Sequence, residues 1–66
     1  MYELYDRDSA LRISSDGYRD LSAAIRGAQN YLVRTILHVE AVSIYNPFGE
    51  LSGTVYLSGD VEIVGP

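Results

Sequence analysis

His38 is the single histidine of the 66-residue chain and Glu40 lies two residues beyond it, so these two, with a tyrosine hydroxyl, make up the one acid–base set the sequence could assemble. A lone imidazole needs a positioned carboxylate or nucleophile before it does useful proton transfer. No serine stands in a Gly-x-Ser-x-Gly elbow, and there is no cysteine to supply a thiolate or a disulfide. Asp6-x-Asp8 has the spacing at which two carboxylates share a hard cation. A calcium loop would also want an oxygen ligand at its fifth position, glycine at its sixth and a distal glutamate, where this chain has Ala10, Leu11 and Gly17. Asp6 and Asp8 therefore read as turn formers. Gly49, Gly53 and Gly59 precede no helix, so a phosphate cradle is not expected. The sequence predicts no catalytic constellation, no metal site, no cofactor and no small-molecule substrate.

The tyrosines stand above this background. Tyr2, Tyr5, Tyr18, Tyr31, Tyr45 and Tyr56 are six, against a single phenylalanine and no tryptophan. Tyrosine combines a large apolar ring with a polar tip, which is why aromatic residues are enriched at the centres of interfaces. The same residue is also an ordinary strand former that stabilises cross-strand pairs. Which role it has depends on the face of the fold that carries it.

Charge narrows the partner. Five Arg, no Lys and nine Asp plus Glu give a formal net charge of −4. Arg7, Arg12, Arg19, Arg26 and Arg34 are scattered, so direct nucleic-acid binding, which needs clustered cations, is disfavoured. No apolar run approaches the length of a membrane span, and neither a basic leader nor an apolar signal core precedes the first strand. A soluble, cytoplasmic protein is expected.

One segment has helical periodicity. From Asp20 to Ile36, the residues Leu21, Ala24, Ile25, Ala28, Leu32, Thr35 and Ile36 recur at steps of three and four, with Asp20 as N-cap. Gly27 interrupts this helix at a cost of about 1 kcal/mol relative to Ala, and close approach of helix to sheet is the expected compensation. Every other apolar segment alternates with a period of two. Residues 1–14 predict a short hairpin turning at Asp6 to Ser9, and Ser14 to Gly17 is the next punctuation. Val39 to Tyr45 is a strand, and Asn46-Pro47-Phe48-Gly49 is a turn.

If those four residues form the loop, Tyr45 pairs with Glu50, Ile44 with Leu51, Ser43 with Ser52, Val42 with Gly53 and Val39 with Tyr56. Val42, Ile44, Leu51, Val55 and Leu57 then face the helix, with Glu40 an exception on that side. Val39, Ala41, Ser43, Tyr45, Ser52, Thr54 and Tyr56 face away. The near-repeat LSGTVY–LSGDVE at 51–62 is too short for a β-helix. It reads as strand alternation through a Ser58-Gly59-Asp60 loop that keeps Leu57, Val61 and Ile63 on the core face.

The expected fold is a single small α+β domain over 1–66. It is an antiparallel sheet of four to five strands in the order ββαβββ, packed on one face by one helix at about 20–36. Its second face has no cover, and such a face marks an interaction site. The expected function is a non-enzymatic protein–protein interaction domain, self-associating as a homodimer or docking on a larger protein through Tyr45, Tyr56, Val39, Thr54, Glu62 and Glu50. The alternative is a small acidic inhibitor of the phage or mobile-element type, anti-CRISPR-like, that covers a basic nucleic-acid-binding surface with carboxylates such as Glu3, Asp6, Asp8, Asp16, Asp20, Glu50, Asp60 and Glu62. That alternative is an analogy of type, drawn from size and acidity.

Overall fold

The computed structural model describes residues 1–13, 17–36 and 38–64. Four strands, β1 (Glu3–Asp6), β2 (Ala41–Tyr45), β3 (Leu51–Tyr56) and β4 (Val61–Ile63), and one helix, α1 (Leu21–Arg34), follow one another as βαβββ. The sheet is antiparallel throughout, and its spatial order β1-β2-β3-β4 is also its chain order. The expected small α+β architecture is therefore present. No helix among the described residues is long and apolar enough to cross a membrane.

The helix starts where its first unpaired N–H groups find an acceptor: the Asp20 carboxylate accepts from the Ala23 amide at 2.8 Å. It stops at Arg34, two residues before the expected end, and the Thr35 N–H closes the last turn on the Tyr31 carbonyl at 2.8 Å. Ile36 is accordingly outside the helix and fully exposed. Ala24, Ala28 and Leu32 form the buried stripe, flanked by half-buried Leu21, Ile25 and Tyr31. Opposite them the sheet supplies Leu4, Val42, Ile44 and Val55, all fully buried. Each such aliphatic side chain contributes roughly 1.5–3 kcal/mol relative to exposure.

Gly27 is not where helix meets sheet. A Cβ there would stand 2.5 Å from the Cζ and Oη of Tyr18, so the glycine seats the Tyr18 ring. The N-terminal hairpin is shorter than expected. Its second arm is reduced to one bridge, Tyr5 to Arg12, with amide bonds from Asp6 to the Leu11 carbonyl and from Ile13 to the Leu4 carbonyl at 2.9 Å each. Ala10 takes a left-handed φ of 60° to close the turn between the arms. Of the Ser14 to Gly17 punctuation, residues 14–16 lie outside the described residues.

The β2–β3 register differs from expectation, and the cause is local. The 46–49 turn forms, with the Asn46 side-chain oxygen accepting from the amides of Phe48 and Glu50 at 2.9 Å each. The hairpin closes on Asn46 and Glu50, so Tyr45 pairs with Leu51. A bulge at Ser52 then sets Ile44 against Gly53, Ser43 against Thr54, Val42 against Val55 and Ala41 against Tyr56. Turn and bulge together move the pairing by two residues. Side chains alternate with a period of two, so both faces survive the shift.

Two residues ahead of β2 break the pattern. Val39, expected on the open face, is buried in the core cluster at 5% exposure, and Glu40, expected on the buried side, is exposed. Regular strand begins only at Ala41, so alternation could not be carried back through them. Leu51 and Leu57 are exposed rather than set against the helix, Leu51 beside the bulge and Leu57 in the β3–β4 turn. That turn spans Leu57-Ser58-Gly59, one residue earlier than expected, and closes through the Tyr56 N–H and the Asp60 carbonyl at 2.9 Å. Val61 and Ile63 keep the parity of Val55 and Gly53. The helix contacts β1, β2 and β3 but not β4, which leaves them exposed.

Candidate functional site

The face opposite the helix carries Glu3 and Tyr5 from β1, Ala41, Ser43 and Tyr45 from β2, Thr54 and Tyr56 from β3, and Glu62 from β4, by the register alternation. One row, Tyr5–Ser43–Thr54–Glu62, crosses all four strands. Near β1 and β2 the face is concave. A cleft of about 370 Å³ opens there, walled by Tyr5 and Tyr45 with Glu3, Asp6 and Arg7 at its rim and Ser43 at its base. That volume lies within the range of small ligand pockets, about 300–1,000 Å³.

Several contacts fix its walls. The rings of Tyr5 and Tyr45 meet edge to face, with centroids 5.3 Å apart and an interplanar angle of 89°. The Tyr5 hydroxyl donates to Glu3 Oε1 at 3.2 Å, and Arg12 Nη2 bonds Glu3 Oε2 at 2.8 Å. Arg7 lies 5.5 Å from the centroid of Tyr56, whose hydroxyl donates to Glu62 Oε1 at 2.6 Å. This hydrogen bond, reinforced by desolvation, raises the Tyr56 hydroxyl above its ordinary pKa of 10.0. Beneath these side chains Ala41 is fully buried and Ser43 is 6% exposed. The face is thus partly sealed by its own residues. The Ser43 hydroxyl has no hydrogen-bond partner among the described residues, and no buried side-chain oxygen or nitrogen there is fully enclosed without one.

Asp6 shapes the turn at the rim. Its carboxylate accepts from the amides of Asp8 at 2.9 Å and Ser9 at 3.3 Å, the turn-forming role expected of it. The Asp8 amide bond is the largest influence on this carboxyl and holds it below its ordinary value of 3.8. A depressed carboxylate pKa stabilises the fold at pH above 3.8 and ceases to do so as pH falls through the folded-state value. Thermal melts between pH 6 and pH 2 are expected to show the wild type losing more stability on acidification than Asp6→Ala, which begins lower. Parallel curves would dismiss the assignment.

The predicted residues are dispersed. Tyr45 lines the cleft, and Tyr56 and Thr54 lie half-buried on the same face. Glu62 stands at the β4 edge, and Glu50 braces the 46–49 turn by accepting from Asn46 Nδ2 at 3.3 Å. Val39 is withdrawn into the core and takes no part in the surface. Tyr5, Arg7, Ser43 and Glu3 were not anticipated as a group. The signal for them was the parity of Glu3, Tyr5 and Arg7 opposite Leu4, which places them on the tyrosine face once β1 pairs with β2. His38 and Glu40 are both exposed, with no hydrogen bond between them. Among the described residues no group of three or more His, Cys, Asp or Glu side chains converges as a metal site would require.

The chain matches no family model, no curated protein and no solved structure.

Proposed function

We propose that this chain is a non-enzymatic interaction domain that docks on a larger protein through its tyrosine-bearing sheet face. The supporting observation is the cleft between Tyr5 and Tyr45, lined also by the Ser43 hydroxyl, which has no partner among the described residues. A side chain inserted there would bury against two rings and complete the hydrogen bonding of that hydroxyl, which is the character of an interface centre. Concavity favours a foreign partner over a second copy. A two-fold axis through this patch would set one cleft against another and fill neither.

Affinity capture from a source lysate, comparing wild type with Tyr45→Ala/Tyr56→Ala and with Ser43→Leu, tests the reading. Both variants are expected to stay folded by circular dichroism and to retain their partner at least about tenfold less well, the usual cost of truncating or blocking an interface centre. Retention equal to wild type by both variants would overturn it. Sedimentation showing a dimer that both variants abolish would replace the foreign partner with a second copy.

A further inference from the structure

The β4 strand is an open edge. Its ladder to β3 uses the Asp60 carbonyl, which accepts from the Tyr56 amide, and the Val64 amide, which donates to the Ser52 carbonyl, each at 2.9 Å. Antiparallel pairing alternates, so Thr54 and Glu62 exchange bonds between these two, and the N–H and C=O groups of Val61 and Ile63 point outward. Neither residue has a partner for them among the described residues. On the helix side Val61 and Ile63 are 37% and 53% exposed, because the helix stops short of β4. On the opposite side Glu62 engages the Tyr56 hydroxyl with Oε1, and its Oε2 has no partner there.

We infer that β4 accepts an extended segment of a basic partner protein as a fifth, antiparallel strand, with apolar residues opposite Val61 and Ile63 and a lysine or arginine opposite Glu62. Charge selects this occupant. The five arginines all lie at or before Arg34, where Glu3, Asp6, Asp8, Asp16 and Asp20 balance them. Residues 35–66 contain Glu40, Glu50, Asp60 and Glu62 and no Arg or Lys, and two of these four, Asp60 and Glu62, stand at this edge. A second copy is a poor fit, since pairing two β4 strands about their centres sets Glu62 against Glu62, and like charges directly opposite are destabilising. With Val61 and Ile63 as the hydrogen-bonded positions, Glu62 occupies a non-bonded pair, where facing side chains come closest. This surface is separate from the cleft, and the inference does not rest on it.

A short end-blocked peptide of alternating Val and Lys, titrated to millimolar concentration and followed by backbone amide shifts, is the probe. Alternating Val and Glu is the control. Shifts centred on Val61 and Ile63 are expected with the lysine peptide only. Glu62→Lys should weaken that peptide about fivefold and strengthen the glutamate peptide by a similar factor, the scale of one cross-strand charge pair. Val61→Pro removes an outward N–H without touching the β3 ladder and should abolish binding of the lysine peptide. If that variant fails to fold by circular dichroism, the charge swap decides alone. Absence of β4 shifts with the lysine peptide, or a peptide preference unchanged by Glu62→Lys, overturns the inference. So do β4 shifts that grow with protein concentration in the absence of peptide, which would mark a second copy as the occupant.

Discussion

Val39→Asp is expected to leave the chain unfolded at room temperature, while Glu40→Val stays folded with a stability within about 1 kcal/mol of wild type. Val39 belongs to the cluster of Leu4, Ala24, Ala28, Leu32, Val42, Ile44 and Val55, and nothing in that cluster could pair with a carboxylate. An unpaired charge there costs several kcal/mol, or forces protonation at a comparable cost. Domains of this size hold about 3–5 kcal/mol in total, so one such substitution is sufficient. Glu40 loses little on replacement because its side chain is exposed, and its structural contribution is its carbonyl, which accepts from the Leu57 amide at 2.8 Å. Circular dichroism with urea titration separates the two variants. Simple alternation through residues 38–45 makes the opposite forecast, so a folded Val39→Asp beside a destabilised Glu40→Val would refute the core assignment.

Gly53→Ala is the second large effect. Alanine is usually no worse than glycine inside a strand, since it costs less backbone entropy. Here a Cβ would stand 2.9 Å from the backbone carbonyl oxygen of Glu62 and 3.6 Å from Ile63 Cδ1. A carbonyl held in a ladder cannot swing aside as a side-chain tip can, so β4 must move away from β3. The expected loss is about 1–3 kcal/mol, the range for overpacking a fitted site. The damage should be local, because β4 has no contact with the helix to hold it in place. Amide exchange should quicken at Glu62 and Val64 and remain slow at the β1–β2 ladder. A variant as stable as wild type, with β4 protection intact, would show that the close approach does not constrain the strand.

The fold was largely legible in the sequence, and its failures have identifiable causes. The helix announced itself through the spacing of Ala24, Ala28 and Leu32 and through Asp20, which caps it as expected. The two sheet faces were legible because parity survives an even shift, although the Ser52 bulge that produced the shift left no mark in residue types. Val39 and Glu40 misled because alternation was extended beyond the residues that are strand. Gly27 was visible as a cost to its helix, but what occupies the missing Cβ space at Gly27 and at Gly53, a Tyr18 ring in one case and a Glu62 carbonyl in the other, is a property of the tertiary fold. For the site, Tyr45 and Tyr56 could be read from alternation within one hairpin. Ser43 was read on that face from the same hairpin, but its grouping with Tyr5 and Arg7 required knowing that β1 lies beside β2, and a single sequence does not specify strand order.

The strands stand in the sheet in the same order as in the chain. Asp60 and Glu62 therefore stand on the flank farthest from β1, and Glu40 and Glu50 lie at the ends of the β2–β3 hairpin. Carboxylates at an open edge attract cations through solvent, so a cationic segment that pairs with β4 would be drawn toward Glu62 before any contact forms. Dissolved salt should then act chiefly on how often productive encounters occur and far less on how long they last.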